Sequence, residues 1–126
     1  MATRTHWAYE KVPGDLCTYC GEPAEVRDHA YPASRVPELC PEGMRLLVPS
    51  CDECNGLLGD SMHETLSDRR AAAQRLLGGR YRKVLAQPDW SDDELAELVG
   101  DLRTHVIGMQ AAKFKAIRRV TFKGEQ

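Results

Sequence analysis

Cys17-Thr-Tyr-Cys20-Gly21 and, after 30 intervening residues, Cys51-Asp-Glu-Cys54-Asn55 are the stretches on which the fold of this chain turns. Each C-x-x-C pair puts two sulfurs on one tight turn. Two such pairs supply the four thiolates that zinc takes in a tetrahedron at about 2.3 Å. Gly21 suits the knuckle after the first pair, because glycine accepts the positive φ such turns need. A redox role for one pair would leave the other unexplained, so the spacing predicts one structural Zn2+ per chain on Cys17, Cys20, Cys51 and Cys54. The fifth cysteine, Cys40 in Pro37-Glu-Leu-Cys40-Pro41, reads as a small buried apolar side chain in a loop.

Between the pairs, residues 24–30 read as a short strand ended by Pro32, residues 36–44 as loop, and Arg45–Ser50 as a second strand. The second cysteine pair then opens a short helix running to about Leu58 and stopped by Gly59. The order over 17–60 is knuckle, strand, loop, strand, helix. Residues 1–16 form an N-terminal extension with few signals beyond Trp7 and Tyr9, which could pack onto the module. Beyond residue 60 the pattern turns helical. Ser67 can cap a helix over 68–77, with Gly78-Gly79 interrupting it before Arg80-Tyr-Arg-Lys-Val-Leu85. Pro88 marks a linker, and Ser91-Asp-Asp-Glu94 has capping-box form. The helix it opens carries Leu95, Leu98, Val99, Leu102, Val106 and Met109 at the three-and-four spacing of one buried face. The predicted class is α+β: a small zinc-stabilised module (17–60) followed by two or three α-helices (61–126).

At 126 residues the chain suits a single compact unit, and 42% hydrophobic residues against 29% charged exclude a disordered one. No apolar run approaches the ~18 residues of a membrane span. The N-terminal residues lack the apolar stretch of an export signal, so a cytoplasmic location is expected, where thiols stay reduced. The formal charge of −2 gives no bulk attraction to nucleic acid, but its distribution is uneven. Residues 1–60 carry 5 basic and 10 acidic groups, and residues 61–126 carry 12 and 9. A mildly basic helical half could hold a phosphate backbone while cations neutralise the acidic half.

Asp28-His29 falls at the end of the first predicted strand, and Asn55 directly follows the last cysteine. An Asp carboxylate and an Asn amide oxygen are hard ligands for Mg2+ or Mn2+, and a neutral His can take a proton from water. Strand neighbours point to opposite faces, so the pair would need a strand end or bulge to serve one site. Cys17-x-x-Cys20, Asp28-His29-x-x-Pro32, Leu47-Val-Pro-x-Cys51-x-x-Cys54-Asn55 and Gly59 together resemble the zinc-containing HNH endonucleases, relatives of the phage endonuclease VII-type resolvases. The resemblance covers about residues 17–60 and implies a ββα-metal, or treble-clef, module. It also implies a one-metal hydrolysis of DNA phosphodiesters, with His29 as general base and Asp28 and Asn55 holding Mg2+ or Mn2+. The family's middle Asn is Leu46 here, and the Lys before its final glycine is Leu58.

Other residues give weaker signals. His63 is a candidate additional ligand or phosphate contact, whereas His6 and His105 read as structural or solvated. Arg27, Arg45, Arg69, Arg70, Arg80, Arg82 and Lys83 are candidate phosphate contacts, and they equally suit a solvated face. The expected partner is DNA, with a homodimer or a phage packaging protein as further options. The competing class is a non-catalytic zinc module that binds nucleic acid or protein.

Overall fold

The computed structural model describes residues 8–30 and 44–124. His6, Trp7 and Cys40 lie outside them, and Tyr9 and Arg45 are described by backbone only. Three strands, β1 (Ala8–Lys11), β2 (Val26–His29) and β3 (Met44–Ser50), form a sheet in the order β1-β3-β2. β3 runs parallel to β1, from Ala8 opposite Met44 to Lys11 opposite Leu47. It runs antiparallel to β2, from Val26 opposite Ser50 to His29 opposite Leu47. Pro49 lies beyond the stretch paired with β1, so its missing N–H costs that ladder no bond. β1 falls in the segment whose sequence carried few signals.

The helix opened by the second cysteine pair is α1 (Asp52–Leu58), with Cys51 as N-cap and Gly59 as C-cap, as its sequence predicts. The next helix, α2 (Leu66–Arg80), starts earlier than expected. Thr65, not Ser67, caps it, its Oγ1 accepting from Asp68 N at 3.0 Å. α2 also runs through Gly78-Gly79. Each glycine costs a helix roughly 1 kcal/mol against alanine, but buried Ala72, Ala73 and Leu77 anchor this helix on the core. The break comes at Tyr81, before a single turn, α3 (Arg82–Leu85).

Ser91 and Glu94 form the full capping box of α4 (Asp92–Glu97). That helix stops at Leu98, which with Val99 is extended (ψ 148° and 158°), and Gly100 opens α5 (Gly100–Thr121) with a φ of 62°. The expected apolar face across 95–109 is therefore divided. Val106 is buried, but Val99 and Leu102 are 79% and 59% exposed. The buried side of α5 is Val106, Gln110, Lys113, Ala116 and Arg119, three of them polar. Gln110 and Lys113 stitch the helix to the preceding loop, donating to Pro88 O at 2.8 Å and Gln87 O at 2.5 Å.

The core is small and centred on sulfur. Cys17, Cys20, Cys51 and Cys54 pack with Tyr19 of the knuckle, Ala30 just after β2, Val48 of β3 and Leu58 of α1, and with Ala72, Ala73 and Leu77 of α2. No helix among the described residues is long and apolar enough to cross a membrane.

Candidate metal centre and the Asp28 site

Cys17 and Cys20 sit on a knuckle between Leu16 and Pro23, which are bridged in antiparallel fashion. Gly21 closes it with a φ of 78°, its N–H donating to Cys17 O at 3.0 Å. Thr18 N ties the knuckle to β3 through Pro49 O at 2.8 Å. Cys51 and Cys54 come from the first turn of α1, where Cys54 N donates to Cys51 Sγ at 3.4 Å. Two local turns separated in sequence are thus held against one another by β3.

All four sulfurs lie within 4.8 Å of one another, and all four cysteines are buried. Zn–S bonds of about 2.3 Å in a tetrahedron require S···S edges of about 3.8 Å, and Cys20 Sγ lies 3.6 Å from Cys51 Sγ. The four cysteines are free thiols rather than disulfides. Donor type, number and spacing all fit a tetrathiolate zinc.

The cationic side chain of Arg119 lies against the cage. Arg119 Nη2 approaches Cys51 Sγ at 3.6 Å, and its Nη1 pairs with Glu53 at 2.7 Å. Tyr81 donates to the other Glu53 oxygen at 2.6 Å, and its ring lies 5.6 Å from the Arg119 guanidinium. Burial opposes charge on Arg119, but Cys20 and Glu53 outweigh it and hold the pKa up. Burial likewise opposes charge on Glu53, but the bonds from Tyr81 and Arg119 keep it below the ordinary carboxylate value. Four thiolates on Zn2+ leave a net −2, and this guanidinium lies where that charge is felt.

Asp28 and His29 are brought to neighbouring positions and opposite faces. β2 is unbulged, with Asp28 opposite Val48 and His29 opposite Leu47. Asp28 points inward and is 3% exposed, whereas His29 is exposed. Asn55 lies half-buried on α1, its backbone N–H bonded to Cys51 O. The expectation that Asp28 holds a divalent cation meets a direct obstacle. Arg69 Nε and Nη2 donate to Oδ2 and Oδ1 at 2.8 and 3.1 Å, and the Tyr19 hydroxyl also donates to Oδ2. A carboxylate neutralised this way, out of water, does not fit Mg2+ or Mn2+ as it stands.

Arg69 therefore corrects the sequence reading twice. It was a candidate phosphate contact, but it is 1% exposed and its donors are committed inside the molecule. Besides Asp28 it reaches Ser61 O at 2.6 Å, Gly59 O at 3.4 Å and the Tyr19 hydroxyl at 3.2 Å. Burial works against its charge, yet the Asp28 bonds raise its pKa above the ordinary value. Burial first, and then the Asp28 charge, push the Tyr19 phenol well up.

The remaining candidates are dispersed. Arg27 donates to Val12 O, Arg70 to Thr18 O and Lys123 O, and Arg80 pairs with Glu53, while Arg82 and Lys83 are exposed. His63 is half-buried against Ser61 Oγ at 3.2 Å. Desolvation, followed by the nearby Arg69 charge, lowers its pKa. His105 is exposed. Tyr19, Glu53, Tyr81 and Arg119 were not among the site candidates; only the tertiary structure gathers them. No family model, curated protein or solved structure matches the chain in the comparisons made.

Proposed function

We propose that the protein is a zinc-organised DNA endonuclease of the HNH type, with residues 17–60 forming its treble-clef module. One observation supports the reading: the four thiols join the knuckle to the first turn of α1, the helix that carries Asn55 immediately after the last thiol, while the strand that ends in exposed His29 pairs with β3, which leads into that same turn. Rigid placement of an imidazole base and a hard oxygen donor on one small scaffold is what phosphodiester hydrolysis needs. In this reading the imidazole of His29 takes a proton from the attacking water as its oxygen bonds to phosphorus, the P–O bond to the 3′ oxygen breaks to leave a 5′-phosphate, the 3′ oxygen takes a proton from solvent, and Arg82 and Lys83 offer exposed positive charge to the backbone. Asp28 as held here takes no part in that step.

A second reading has its own support. Arg69 and Tyr19 turn Asp28 into a buried structural group, which suits a zinc module that binds DNA or a protein without cutting. Supercoiled, branched and single-stranded DNA incubated with the zinc-loaded protein and Mg2+ or Mn2+ separates the two. The nuclease reading expects nicking that falls about 100-fold or more in His29→Ala and drops in Asn55→Ala. Cleavage that survives His29→Ala overturns it. Retention of DNA without cleavage by all three proteins establishes the binding module instead.

A further inference from the structure

Five oxygens ring one side chain: both oxygens of Asp28, the carbonyls of Gly59 and Ser61, and the Tyr19 hydroxyl all accept from the nitrogens of Arg69. A carboxylate, two main-chain carbonyls and a hydroxyl form the kind of donor set that hard divalent cations take. The group they surround is the Arg69 guanidinium. We infer that Arg69 is the resident cation of this site, an internal substitute for a divalent ion that must leave before Asp28 can hold one. The inference rests on the proposed nuclease reading only in giving Asp28 a second use; the occupancy itself is a matter of binding.

Placement supports the assignment. Arg69 lies in the first turns of α2, where the helix dipole disfavours a positive side chain. The favourable partner is therefore the carboxylate, which it grips through Nε and Nη2 together. A divalent ion added beside a buried guanidinium would meet strong repulsion in a medium poor in water. Guanidinium and metal ion therefore exclude one another. Neighbouring Arg70 does not share the site, because it is turned the other way, to Thr18 O and the Phe122 ring.

The test reads Mn2+ binding to the zinc-loaded full chain by electron paramagnetic resonance. Wild type and Arg69→Lys, which keeps the charge, should show at low millimolar ion no saturable Mn2+ site that Asp28→Asn removes. Arg69→Gln should gain one site at least about tenfold tighter, and Asp28→Asn in that background should abolish it. Equal binding by wild type and Arg69→Gln, or none by a folded, zinc-loaded Arg69→Gln, overturns the inference. Should Arg69→Gln not fold, wild type alone decides by paramagnetic NMR. Amides of residues 28, 59 and 61 should stay sharp as Mn2+ is added, and broadening centred on Asp28 overturns the inference. Cleavage is not the readout, so a protein that fails to cut DNA leaves this result standing, and a cutting enzyme with ordinary Mn2+ binding refutes only this inference.

Discussion

Asp28 shows what a single residue in a strand can and cannot disclose. Its position between the cysteine pairs singles it out, and strand alternation correctly separates it from His29. Its partner could not be foreseen, since Arg69 stands 41 residues away in a run of helical charges. Removing one member of a buried ion pair leaves the other charge uncompensated and typically costs about 3–5 kcal/mol, whereas replacing both with apolar groups costs much less. Urea denaturation of the zinc-loaded protein should therefore find Arg69→Met strongly destabilised, and Asp28→Leu with Arg69→Met partly restored. Equal, additive losses would show that the pair is not coupled. Gly21 permits an equally local prediction. A Cβ there would lie 2.6 Å from the Phe122 ring at a φ of 78°. Gly21→Ala should lose about 1–3 kcal/mol through overpacking and strain, and an unchanged melting temperature would contradict this contact.

Among the elements, α5 was the least legible. Hydrophobic spacing points to Leu102 and Val99, but the helix buries Gln110, Lys113 and Arg119, whose polar ends reach Pro88 O, Asp89 and Glu53, while Arg119 Nε is left without a hydrogen-bond partner. Apolar periodicity cannot find such a face, and Gly100 was the overlooked sign that two helices meet there. α1 was legible because a metal-binding turn and an N-cap are the same local geometry. Docking of α5 brings Arg119 to Cys51 Sγ. Outer partners of metal ligands commonly control affinity by about 10–100-fold. Arg119→Met should weaken zinc retention against a chromophoric chelator by about tenfold, while Arg118→Met, at an exposed neighbouring position, should leave it unchanged. Identical retention by both variants would remove Arg119 from the metal centre.

Across the whole molecule, the uneven charge of the two halves acquires a different meaning. The basic helical half meets the acidic module directly, through Arg69–Asp28, Arg80–Glu53, Arg119–Glu53 and Lys115–Glu22. Much of the positive charge that suggested phosphate binding is spent inside the fold. Arg70 and Gln74 extend the same join, reaching Thr18 O and Tyr19 O on the knuckle. A fragment ending at residue 64 would keep the cage but strand Asp28 without its cation and Tyr19 without its cover. It should show no cooperative melt with zinc present, and a sharp transition would show that the helices are dispensable. The cysteine spacing made the centre of the fold readable, and what it left unread is the set of contacts by which two oppositely charged halves close on one another.

The centre of the fold is four buried cysteines, at the junction of β3, the knuckle and α1, that could hold one metal ion such as zinc. Native mass spectrometry of the purified chain tests that claim most directly, because a bound metal adds its own mass and displaces thiol protons. The predicted result is one zinc per chain with four protons displaced, lost in Cys54→Ser. A metal-free chain, or one two or four hydrogens lighter through disulfide formation, would contradict it.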